Sequence, residues 1–208
     1  MVNPTAPGAA AFARCALQDL AFRGVLLFPS LHHYDVCGEA SRMVLDEVQS
    51  ARGLALIHCG VLEIKIRDLL GLPRVYDLRF SNPLSVVPVA NRYPEVAFVI
   101  PHFGAGLFRE ALIAGAQCSN IYVDTSSSNG WMRFQSEEMT LETVFRRALS
   151  VFGPARILFG TDSTTFPRGW RSDIYRLQSA TLEKLQISIA DRNLIFGENL
   201  ARILHLGP

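Results

Sequence analysis

Five short apolar runs, none alternating in polarity and each set off by a longer stretch of helical spacing, constrain this chain most. They are Gly24–Phe28, Leu54–His58, Val96–Pro101, Asn120–Asp124 and Arg156–Gly160. Strands that are apolar on both sides are covered on both sides, as in parallel sheets flanked by helices. Helices are expected over Ala9–Ala21, Glu39–Ala51, Leu84–Arg92, Phe108–Ala116 and Thr140–Phe152. Ser172–Leu185, Ile189–Phe196 and Glu198–Leu206 close the chain, with Asp191 as a capping candidate. In Thr140–Phe152 the apolar residues Leu141, Val144, Phe145, Leu149 and Phe152 recur at helical spacing, and Gly153-Pro154 ends the pattern. No linker or change of composition divides the 208 residues. The expectation is one α/β domain over 1–208, built of βα units with right-handed crossovers.

The net charge is +1, and no basic run exceeds the pair Arg146-Arg147, which argues against an electrostatic grip on nucleic acid. No apolar stretch is long enough to cross a membrane, and the first 15 residues lack the pattern of a secretory signal. Cys15, Cys37, Cys59 and Cys118 are scattered and form no C-x-x-C pair. They read as reduced thiols of a cytoplasmic protein, with Cys59 a small buried side chain.

Three of the runs end in one ionisable residue beside a glycine. "LALIHCG" carries His58, "VAFVIPHFGAG" carries His102 and "RILFGTDSTTF" carries Asp162; Asp124 ends the fourth run in a similar way. Ligands of parallel α/β folds bind at the carboxyl ends of the strands. Two imidazoles and a carboxylate suit a divalent ion such as zinc, with the carboxylate able to take and return a proton. Taken singly, each has a plainer reading: a histidine after a strand as a loop residue, and the aspartate of "GTD" as a turn or cap. The segment Thr125–Glu138 reads as an active-site loop. A G-x-G-x-x-G turn and a G-x-S-x-G elbow are both absent, which argues against a dinucleotide site and a serine hydrolase.

The stretches "GLALIHCG", "YPEVAFVIPHFGAG", "NIYVDTSS", "ARILFGTDSTTF" and "IFGENLARIL" together resemble the amidohydrolase-related family of the amidohydrolase superfamily. Its members are metal-dependent (β/α)8 barrels that hydrolyse C–N and ester bonds or decarboxylate aromatic and unsaturated carboxylic acids. The resemblance implies a TIM-type barrel incomplete at its N-terminus, with five strands equivalent to strands four to eight and "VNP" as the tail of strand three. It makes His58 the strand-five metal ligand and His102 a catalytic residue of strand six that binds substrate, or a second metal in binuclear members. Asp162 becomes the strand-eight residue that binds metal, zinc by expectation, and shuttles the catalytic proton. Arg133 and Arg168 are candidates for a substrate carboxylate. Trp131, with Phe134, Phe166 and Trp170, is a candidate for an apolar or aromatic small-molecule substrate.

The chain departs from the family at strand one, because it has no His-x-His or Glu-x-His pair. Only His32-His33 are close, and on an extended strand neighbours point to opposite faces. One of the two is a candidate to face the substrate. The leading expectation is a metal-dependent hydrolase. The alternatives are a decarboxylase on the same scaffold and an inactive partial barrel serving as an interaction module. The chain alone is expected to bind zinc weakly. Its open sheet edges would admit self-association.

Overall fold

A computed structural model describes residues 1–126, 130–163 and 169–206. All five apolar runs become strands: β1 (Gly24–Leu27), β2 (Leu54–Ile57), β3 (Ala97–Ile100), β4 (Ile121–Asp124) and β5 (Ile157–Leu158). They form one parallel sheet in the order β1-β2-β3-β4-β5. The helices are α1 (Ala9–Arg14), α2 (Pro29–His32), α3 (Glu39–Ser50), α4 (Lys65–Leu69), α5 (Val86–Arg92), α6 (Phe108–Gln117), α7 (Leu141–Phe152), α8 (Ser172–Lys184), α9 (Ile189–Asn193) and α10 (Asn199–Ile203). Wider π-type turns continue α1 through Cys15–Asp19 and join α9 to α10 through Leu194–Glu198.

Strand order that follows chain order, with every pair parallel, requires each crossover to return on the same side of the sheet. The packing agrees. Leu27, Ala55, Ile57, Phe98, Ile100, Ile121, Val123 and Ile157 share one core with Val44, Leu45 and Val48 of α3, Val89 of α5, Ala111 of α6 and Phe145 of α7. The opposite face is built from Val99, Tyr122 and Leu158, and Ile203 of α10 packs on it. Leu54, Leu56 and Ala97 are only partly buried there. Helices outside and side chains inside is the arrangement of a (β/α) barrel, here with five strands instead of eight.

The two edges of the sheet differ. Beyond β5, the Phe159 N–H donates to Ile195 O (2.9 Å). The buried Asn199 amide donates to Ile157 O (3.0 Å) and Pro154 O (2.7 Å). The terminal helices therefore cover that edge. Beyond β1, among the described residues, only Val2 is bridged in parallel to Leu27, its N–H donating to Leu26 O (3.0 Å). Phe12, Leu20 and Phe22 are exposed on the α1–β1 segment.

Two local expectations change. His32 and His33 do not lie on an extended strand. Pro29 starts the single turn of α2, and His33 ends it in a left-handed conformation (φ 55°). The cap of α9 is Ser188, whose hydroxyl accepts from the Asp191 N–H (3.1 Å) and donates to the Asp191 carboxylate. The four cysteines are unpaired, and Cys59 is buried as expected. No helix among the described residues is long and apolar enough to cross a membrane.

The loops after β2 and β3 lie against each other. Gly60 has φ +78°, and a Cβ there would sit 2.1 Å from Gly104 O and 2.3 Å from Ala105 O. The Gly60 N–H donates to Ser81 O and the Val61 N–H to Ala105 O (2.8 Å each). Strain and clash act together, so Gly60→Ala is expected to destabilise by about 2 kcal/mol or more. For a chain of this size that is a fall of roughly 4–8 °C in Tm, read by calorimetry. The ends of β4 and β5 are held by the buried Gln178 of α8. Its amide donates to Thr125 O (2.9 Å) and its carbonyl accepts from the Thr125 hydroxyl (2.7 Å). Gln178→Leu leaves both Thr125 groups buried without these partners, and denaturant unfolding should show a loss of about 2–3 kcal/mol.

Candidate functional site

His58 follows β2 directly and extends its ladder, its N–H donating to Leu27 O (2.9 Å). The side chain is 4 % exposed. Its ring stacks on Phe28, with centroids 4.9 Å apart and planes at 20°. The edge of His102 meets it at 5.3 Å and 63°. Burial first, and the proximity of His102 second, push its pKa from the ordinary 6.5 down to about 3. The ring is therefore neutral at physiological pH, and Nδ1 is buried without a hydrogen-bond partner among the described residues.

His102 lies in the turn Pro101–Gly104 after β3. Its backbone is left-handed (φ 58°), as are those of Phe103 (51°) and Ala105 (42°). The turn sends consecutive side chains in different directions. Phe103 goes fully into the helix-side core, against Phe108, Phe145 and Trp131. His102 stays beside His58. The carboxylate of Asp124, the last residue of β4, stabilises this backbone. Its Oδ1 accepts from the N–H groups of His102 (3.0 Å) and Ser126 (2.8 Å) and from the Ser126 hydroxyl. The His102 ring Nδ1 is 3.0 Å from Ser126 O and 2.9 Å from Ser126 Oγ.

Asp162, four residues beyond β5, is exposed and left-handed (φ 53°). Among the described residues it makes no hydrogen bond to either histidine. The adjoining Thr161 and Ser163 hydroxyls are 2.6 Å apart, and Ser163 Oγ accepts from the Arg171 N–H (2.8 Å). The guanidinium of Arg133 pairs with Glu63 (3.0 Å) and lies over Phe134. It thereby ties the segment after β4 to the segment after β2. Trp131 is buried against Phe103 and Phe108, whereas Trp170 is exposed near Tyr175. Arg168 and Phe166 lie outside the described residues. The structure thus joins His58 to His102.

A divalent ion was expected on His58 and Asp162. The unpartnered Nδ1 of a buried, neutral imidazole has the chemistry of a metal donor. Among the described residues, however, no three His, Cys, Asp or Glu side chains stand close enough to hold an ion. They supply part of a ligand set and do not by themselves fit a resident metal.

Two contributors are not evident from the strand-end pattern. Ser126 and Phe28 are an ordinary loop serine and an ordinary strand-end aromatic in sequence. The only available signal was "DTS", a serine two residues after a strand-end aspartate, a spacing that favours local side-chain-to-backbone bonds.

A family model described as amidohydrolase matches residues 1–206. No curated protein matches the chain significantly. Among solved structures, the chain is similar to 5-carboxyvanillate decarboxylase LigW from Sphingomonas paucimobilis: TM-score 0.65, 14% identity, covering 98% of this chain and 65% of that one. It is similar to a dihydroxybenzoic acid decarboxylase from Polaromonas sp. JS666, solved with manganese and the inhibitor 2-nitroresorcinol: TM-score 0.60, 18% identity, covering 95% and 65%. It is also similar to an amidohydrolase from Burkholderia multivorans: TM-score 0.66, 16% identity, covering 98% and 71%. At these identities the structures support the fold, and the chain spans about two thirds of the length of the decarboxylases it matches. With the family match running over nearly every residue, the chain belongs to the amidohydrolase family.

Proposed function

We propose that this chain carries part of a site for decarboxylating a hydroxylated aromatic carboxylic acid. The observation behind it is the pair of imidazoles at neighbouring strand ends, one buried and neutral, with an aromatic wall at Phe28. The fold's likeness to decarboxylases of carboxyvanillate and dihydroxybenzoate supports the choice over hydrolysis, which the sequence had favoured.

Losing carbon dioxide from an aromatic ring requires a proton on the carbon that carries the carboxylate. The C–C bonding pair then returns to the ring as carbon dioxide leaves. His102 is the group to take up a proton from water at its free ring nitrogen and deliver it to that carbon, because its ring is fixed on the other side by Ser126. Phe28, partly buried and stacked on the buried His58, offers an apolar aromatic face suited to a ring. No step is assigned to a metal, since the described residues bring together too few donors for one.

Calorimetric titration of the purified chain with 2-nitroresorcinol and 2,6-dihydroxybenzoate, with manganese or zinc supplied, tests binding. A carbon dioxide assay on the same mixtures tests turnover. Saturable binding that His102→Ala weakens about tenfold, the worth of one hydrogen bond, is the expected result. Release of an alcohol or amine from a lactone or amide substrate, with no carbon dioxide from any hydroxybenzoate, overturns it.

The neutral state of His58 also has a consequence for stability. Its folded pKa of about 3 lies below the ordinary 6.5. Between those values the unfolded chain takes up a proton at this ring that the folded chain refuses. Stability is therefore lost as the pH falls from 6.5 towards 3, by up to about 1.4 kcal/mol per pH unit from this group. Urea unfolding at pH 7, 6 and 5 should show His58→Gln with a shallower fall than the unsubstituted chain.

A further inference from the structure

We infer that Asp124 and Ser126 are positioning residues that hold His102 in the Nδ1–H tautomer, leaving Nε2 free to accept a proton. This rests on the proposed role of His102 as the proton-carrying group. Two atoms face Nδ1: the carbonyl oxygen of Ser126 at 3.0 Å and its hydroxyl oxygen at 2.9 Å. A carbonyl oxygen has no proton to give, so a bare Nδ1 would set two lone pairs against each other. The hydroxyl does not reverse this, because its own proton is directed to Asp124 Oδ1. Nδ1 is thus the donor, and it shares its proton between the two oxygens. Nε2 makes no hydrogen bond among the described residues.

Asp124 is the origin of the arrangement. One oxygen, Oδ1, accepts from the Ser126 N–H and hydroxyl, which turns the Ser126 carbonyl toward the ring. The same oxygen accepts from the His102 N–H and holds that residue at φ 58°. Backbone and tautomer of one histidine are therefore set by one carboxylate oxygen on the neighbouring strand. An imidazole selected in this way presents the same nitrogen to a substrate at every turnover.

Nitrogen-15 imidazole spectra of the chain, recorded without metal or substrate, test this. The His102 signals are assigned by their loss in His102→Gln. The expected spectrum shows a single Nδ1–H tautomer for His102. Asp124→Asn keeps an oxygen in place of Oδ1 and should retain that tautomer, whereas Asp124→Ala should give a mixture of both. An Nε2–H form in the unsubstituted chain overturns the inference, as does an unchanged tautomer in Asp124→Ala. If Asp124→Ala does not fold, the spectrum of the unsubstituted chain still decides. Turnover does not enter these readings, so they stand apart from failure of the decarboxylase proposal.

Discussion

One oxygen atom, Oδ1 of Asp124, ties the loop after β3 to the end of β4. It ends β4 and receives three donors: two from Ser126 and one from His102 on the neighbouring loop. Without an acceptor there, the left-handed residues His102 and Phe103 would carry backbone strain of order 1–3 kcal/mol each with little to offset it. The deep burial of Phe103 anchors the turn from the core side, and the docking of the Gly60 loop holds it from the β2 side. Three strand ends are thereby locked into one rigid surface.

What that surface can do follows from how differently it treats its two histidines. Burial first, and the proximity of His102 second, keep the His58 ring neutral, with a nitrogen that no group among the described residues satisfies. The His102 ring is instead bonded through Nδ1 on one side, with its other nitrogen unbound among the described residues. The two imidazoles, packed edge to face, thus differ in which ring nitrogen is engaged, and that difference is what the proposed division of roles rests on. Asp162 lies on an exposed turn with no hydrogen bond to either histidine among the described residues, whereas the Asp124 carboxylate accepts from the His102 backbone and the Ser126 hydroxyl.

The sheet is finished on one side and not on the other. Asn199 and Ile195 satisfy the β5 edge from the terminal helices. Among the described residues the β1 edge has only the Val2 bridge, with Phe12, Leu20 and Phe22 exposed on the α1–β1 segment. The inner face is likewise only partly covered at Leu54, Leu56 and Ala97. Apolar surface and unpaired strand edges of this kind are where a chain pairs with another.

The sequence by itself determined the number and direction of the strands. Continuous apolar runs such as Leu54–Ile57 have no solvent face, and helix-length connections oblige neighbouring strands to run parallel. It also showed that His58 and His102 end adjacent strands, because parallel strands in register place their carboxyl ends on one rim. Other features were beyond its reach. The exposed, left-handed turn that carries Asp162 after β5 leaves no periodic trace in the sequence, and that Arg133 faces Glu63 depends on a segment seventy residues away. The role of Ser126 arises from a carbonyl turned by a neighbouring side chain. The division has a physical cause. Strand pairing follows from burial and hydrogen bonding repeated along a run, which leaves a periodic trace in the residues, whereas a site depends on single side-chain directions, and those are set only when distant loops close on one another.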